Sequence, residues 1–64
     1  MHFIYAFNED DRKDLLDKGF KEIFYCYINN KKAYAFENIP TKFYAMYSET
    51  DRNKFLITNM AYFI

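Results

Sequence analysis

Tryptophan, valine and glutamine are absent from this 64-residue chain, and cysteine, histidine, glycine and proline occur once each. The single cysteine, Cys26, excludes an intramolecular disulfide. With His2 as the only histidine, no Cys/His set of three or four ligands can be assembled for a structural metal. One glycine cannot build a phosphate-cradling loop, and GxSxG, HExxH, P-loop and GxGxxG patterns are all missing. No run of 18 apolar residues exists to span a membrane. Nine Lys/Arg balance nine Asp/Glu, which argues against strong non-specific attraction to nucleic acid or to anionic lipid. The apolar opening MHFIYAF is too short for a signal peptide, and acidic residues follow it. The expectation is a cytoplasmic protein without cofactor, its lone thiol suited to a reducing compartment.

What the chain has in excess is aromatic. Eight Phe and seven Tyr are more than one small core can hide. At this mass a folded monomer exposes roughly 4,400 Å² and buries only about 60% of the unfolded surface. Chains so short usually need a staple, and with disulfide and metal excluded the remaining one is association. A homodimer or an obligate protein partner is therefore expected. Asn, Ile, Lys, Tyr and Phe together supply 34 residues, and their codons all begin with two A/T bases. An AT-rich genome thus accounts for part of the aromatic load.

Residues 1–7 alternate, with Phe3, Tyr5 and Phe7 on one face and His2, Ile4 and Ala6 on the other. That predicts a strand buried on both faces. Asn8 is a good N-cap, followed by Glu9, Asp10 and Asp11; Asp11 sits in the capping-box position. Gly19 is a natural residue just past a helix end, so a short helix is predicted over 9–18. Segment 20–28 predicts a second strand, with Phe20, Glu22, Phe24, Cys26 and Ile28 on one face and Lys21, Ile23, Tyr25 and Tyr27 on the other. Asn29-Asn30-Lys31-Lys32 predicts a hairpin turn, because Asn tolerates positive φ. A third strand follows over 33–37 and is broken by Asn38-Ile39-Pro40-Thr41. Segments 42–47 and 55–64 predict a fourth and a fifth strand, with SETDRN between them as a polar loop.

The fold class is α+β in a single domain over 1–64: one short helix packed on a small mixed or mostly antiparallel sheet, in the order β-α-β-β-β-β. The dozen residues around the helix suffice for a right-handed parallel crossover. One helix leaves one sheet face uncovered, to be decorated by Tyr25, Tyr27, Tyr34 or Tyr44.

Four constellations carry candidate chemistry. Cys26 with His2 as its base is the one nucleophile pair, but a mid-strand thiol among Phe24, Tyr25, Tyr27 and Ile28 is a structural, inert one. Asp10, Asp14 and Asp17 share a helix face at spacings of four and three. They read either as an acidic stripe that docks a basic groove or as a solvated face, and charge runs of this kind usually are solvated. Lys31 and Lys32 near Tyr25, Tyr27, Tyr34 and Tyr44 hold the ingredients of a base-stacking sheet, which zero net charge disfavours. Segment 55–64 (FLITNMAYFI) carries no charge. On a sheet edge it would serve dimerisation or strand addition; in the centre it would be core.

The opening YAFNEDDR with Leu15-Leu16 and Gly19-Phe20, then AYAFEN over 33–38, resembles small proteins of phages and prophages in AT-rich Firmicutes. The likeness covers the first 38 residues and carries no catalytic motif. It implies a context in which tiny proteins without active sites inhibit host machinery, anti-CRISPR and other anti-defence proteins among them. The combined reading is a non-enzymatic protein-binding module that occludes a host protein. Its expected binding residues are Asp10, Asp14, Asp17, Tyr25, Tyr27, Tyr34 and Tyr44. The alternative is a single-stranded nucleic-acid binder that stacks bases on sheet tyrosines.

Overall fold

The computed structural model describes residues 2–62. The chain follows the order β1 (Phe3–Ala6), α1 (Glu9–Asp17), β2 (Glu22–Ile28), β3 (Lys31–Glu37), α2 (Pro40–Met46), α3 (Glu49–Arg52) and β4 (Leu56–Thr58). The four strands form one sheet in the order β2-β3-β1-β4, and every neighbouring pair is antiparallel. The fold class is α+β, as expected. The accessible surface, 4375 Å², is that of a folded chain of this size.

The ends of α1 are set by local chemistry. Asn8 Oδ1 accepts from the Asp11 amide at 2.8 Å, and Asn8 Nδ2 donates to Asp11 Oδ2 at 3.1 Å, so the cap is reciprocal. At the other end Gly19 takes φ +83°. There the Phe20 amide donates to the Leu15 carbonyl and the Gly19 amide to that of Leu16, the paired bonds of a Schellman stop. Asn29 and Asn30 hold φ of 49° and 66°, a two-residue turn whose twist suits the β2-β3 hairpin.

Several expectations are corrected. Segment 42–47 is not a strand: residues 42–46 are the C-terminal part of α2 and Tyr47 is its C-cap; Pro40 at the first turn presets φ, and the i,i+4 pair Phe43 and Tyr47 is buried. The predicted polar loop contains α3, capped by Ser48 Oγ, which accepts from the Asp51 amide at 3.2 Å. Among the described residues of segment 55–64 only Leu56–Thr58 pair; Phe63 and Ile64 lie outside the described residues, as does Met1 of the first predicted strand. The helix does not link adjacent parallel strands. β1 and β2 run parallel, but β3 lies between them. An irregularity between Glu22 and Phe24 turns Glu22 to the helical side while Phe24 stays opposite Ala35. Phe20 packs in the helix-side core and Phe24 and Ile28 against the other, contrary to the strict alternation read from sequence.

Both sheet faces are buried, each in its own way. Ile4, Ala6, Tyr34 and Phe36 meet Leu15, Phe20, Phe43, Tyr47 and Phe55 under the helices. Phe3, Tyr5, Cys26, Ala33 and Ala35 fill the opposite face, with Phe7, Phe24, Ile28, Leu56 and Tyr62 packed against them. The tail after β4 covers part of that second face. Tyr5 Oη donates to the Met60 carbonyl at 2.8 Å, accepts from the Tyr62 amide at 3.2 Å, and stacks edge-on against Tyr62. Of the tyrosines expected on an uncovered face, Tyr34 belongs to the helix-side core and Tyr44 to α2, while Tyr25 and Tyr27 stand exposed on the helical side of β2.

Candidate protein-binding surface

β2 and β4 are the two edges of the sheet. β4 has three residues; β2 has seven. β4, one of the two places foreseen for segment 55–64, is thus an edge, but a short one. Along β2 the odd positions rise on the helical side, beyond the cover of α1. Tyr25 is 61% exposed, Tyr27 52% and Ile23 40%, and Leu16 joins them at 43%. Leu16 lies one turn after Arg12, whose guanidinium reaches across to Glu22 of β2, Nε to Oε1 at 2.6 Å. Leu16 is therefore on the side of α1 that looks toward the β2 edge. The four side chains form an apolar row beside β2, the strand at one end of the sheet order among the described residues.

The row rests on a fixed base. Tyr25 is opposite Tyr34 in the β2-β3 register. The Tyr34 hydroxyl donates to Glu9 Oε1, and this bond lowers the Glu9 carboxyl below the usual range and raises the Tyr34 phenol. Arg12 lies over the Tyr34 ring at 4.7 Å and also holds Glu9 Oε2 at 3.3 Å. Lys32 Nζ stands 4.7 Å from the Tyr25 ring and 5.3 Å from that of Tyr34. These contacts hold Tyr25 without covering it.

The other expected site residues fall elsewhere. Asp10 and Asp17 are exposed on α1. Asp14 is engaged within the fold: Oδ1 accepts from Lys18 Nζ at 2.5 Å and Oδ2 from the Tyr47 hydroxyl at 2.7 Å, and both bonds lower its carboxyl, Lys18 more than Tyr47. Tyr44 is exposed on α2 under the guanidinium of Arg52, 4.4 Å from its ring. The tyrosines Tyr25, Tyr27 and Tyr34 are brought together; the three aspartates are not part of that row. Leu16 and Ile23 were missed. The signal for Leu16 was the adjacent pair Leu15-Leu16, which a helix cannot turn to one core.

The remaining cavities and groups offer less. An open groove of about 410 Å³ on the second face is lined by Phe7, Ile28, Asn29, Lys31 and Leu56. Cys26 is buried, and that burial pushes its thiol up, away from the reactive thiolate. His2 is exposed beside the start of β1, with its carbonyl bonded to the Asn38 amide at 3.0 Å. Among the described residues no three or more His, Cys, Asp or Glu side chains are grouped to hold a metal ion, and no helix is long and apolar enough to cross a membrane. No protein-family model, curated protein or solved structure matches the chain.

Proposed function

We propose that this chain is a small non-enzymatic protein-binding module acting by steric occlusion. The observation that carries the reading is the exposed row Leu16, Ile23, Tyr25 and Tyr27 along β2, an outer strand of the sheet. Tyrosine gives large contact area with few rotatable bonds, which is why it recurs among anchors of protein interfaces. A sheet filled on both faces keeps such anchors rigid, so little ordering is lost on binding. In the phage or mobile-element context that the N-terminal resemblance implies, the module works in the host cytoplasm. The occluded partner is then a host protein, a defence component being the natural class.

The test is capture from nuclease-treated host lysate by the tagged chain and by a Tyr25→Ser/Tyr27→Ser variant. A host protein held by the wild type and lost by a variant with an unchanged circular-dichroism spectrum supports the row. Equal capture by both, or capture that disappears with nuclease, defeats it.

A second reading has its own observation. Lys32 over the ring of Tyr25, with Lys31 next to it, is an ingredient of a stacking platform for single-stranded nucleic acid. Fluorescence anisotropy with labelled oligonucleotides at two salt concentrations decides it; no binding at low salt removes it.

A further inference from the structure

The row is small. Four side chains on one edge fall short of the 20–30 residues a side, roughly 800 Å² per partner, of a standard protein interface. β2 also lacks most of the devices that keep edges apart. It has no proline and no lysine, and its one charge, Glu22, is held by Arg12. Its irregularity sits at the Glu22 end and leaves Phe24–Ile28 regular. β4, by contrast, is blunted by its shortness.

We infer that the β2 edge is paired by the β2 edge of a second copy, antiparallel about a twofold axis at Tyr25, and that this copy completes the binding surface. The inference rests on reading the row as a protein-binding surface. The register follows from charge and polarity. With the axis at Tyr25, Ile23 opposes Tyr27, Phe24 opposes Cys26, Glu22 opposes Ile28 and Lys21 opposes Asn29, so no like charges face each other. An axis at Cys26 sets Lys21 against Lys31 of the second copy, and one at Phe24 centres the pairing beside the irregularity between Glu22 and Phe24. The two four-stranded sheets become one of eight.

Edge pairing uses the backbone in the plane of the sheet, whereas Ile23, Tyr25 and Tyr27 project from its helical face. Dimerisation therefore leaves them uncovered and doubles them. Six side chains form a continuous floor, with an α1 helix and its Leu16 on each flank. Neither copy alone has both flanks.

Sedimentation equilibrium on the intact chain tests the dimer, and single cysteines test the register. In a Cys26→Ala background, directly opposed antiparallel residues have Cα atoms about 4.5–5.5 Å apart. That lies within the roughly 4.4–6.8 Å a disulfide spans. Tyr25→Cys is expected to form an intermolecular disulfide under mild oxidation. Ile23→Cys and Tyr27→Cys are each expected to do so at least tenfold more slowly, and their mixture to cross-link readily. Tyr25→Lys, which sets two ammonium groups face to face, is expected to weaken the dimer at least tenfold, whereas Tyr44→Lys leaves it unchanged. A monomer at millimolar concentration, or equal cross-linking at all three positions, overturns the inference. If the chain is monomeric and Tyr25→Ser/Tyr27→Ser still loses its target, the row survives and the second copy fails; if target capture is also unaffected, both fail.

Discussion

The Tyr47 hydroxyl donates a 2.7 Å hydrogen bond to Asp14 Oδ2, tying the end of α2 to the middle of α1. Lys18 completes the group. Its ammonium bonds the other Asp14 oxygen at 2.5 Å and stands 4.7 Å from the Tyr47 ring. The same ring packs on Phe43 and Phe55 with centroids 5.2 and 5.3 Å away. One tyrosine thus serves the helix-side core and the polar seam above it.

Tyr47→Phe keeps the ring and removes the bond. A loss of about 1.5–3 kcal/mol is expected, the usual net value of a bond to a charged group, with a fall of several degrees or more in Tm for a domain this size. Tyr47→Ala also opens a cavity under α2 and should cost about 3–5 kcal/mol. Thermal melts followed by circular dichroism separate the two, and equal effects would show that the ring packing contributes nothing.

Acid should weaken the fold through Asp14 and Glu9. Both carboxyls are lowered, Asp14 first by Lys18 and Glu9 first by the Tyr34 hydroxyl. A group with a depressed folded pKa contributes stability above its unfolded value, about 4, and loses it as pH falls through the folded one. Urea midpoints should therefore hold from pH 7 to pH 5 and fall below pH 4. Asp14→Asn should flatten part of that fall, and an unchanged slope would separate Asp14 from it.

Alkali should act through tyrosines. Tyr47 is raised mainly by burial and next by Asp14, Tyr5 mainly by burial, and Tyr34 mainly by its bond to Glu9. Their contribution is complete below the unfolded value, about 10, and is lost as pH rises toward the folded ones. Part of the tyrosinate absorbance should appear only together with loss of the far-ultraviolet signal. Complete ionisation of an intact fold would contradict the burial of these phenols.

The turn offers a backbone test. Asn30 sits at φ 66°, where a β-branched residue is strained. Asn30→Val should destabilise by about 1–2 kcal/mol, whereas Asn30→Gly should stay within a few tenths of a kcal/mol of wild type. Equal denaturant midpoints for the two variants would mean the hairpin does not hold this geometry in solution.

Cys26 reports on the second face. Its side chain is 1% exposed and its thiol is pushed up by burial. Labelling by a thiol reagent at pH 7.5 should be at least a hundredfold slower than in urea and should follow global opening. Rapid labelling of the native chain would show that the tail over Tyr5 does not keep that face closed.

Local chemistry was legible where it acts within a few residues. The reciprocal Asn8 cap, the Gly19 stop, the Asn29-Asn30 turn and the two-faced β1 all follow from neighbours in sequence. The segment 42–47 was not legible as a helix. KFYAMY has the composition of a strand, and only the partners available to Phe43 and Tyr47 select the helical spacing. The tyrosines of the candidate row were visible as residues, but their exposure was not, because an alternating pattern does not say which strand stands at an edge.

The sequence by itself determined the class of the domain and the ends of its first helix. These depend on which residues are present and on contacts across one turn. Only the tertiary structure decided that β3 would lie between β1 and β2, that the tail would close the second face over Tyr5, and that β2 would be left at the edge with Tyr25 and Tyr27 in the open. Strand order and cover arise from packing between segments distant in the chain. Strands of similar composition leave that choice to the sum of their contacts rather than to any one of their sequences.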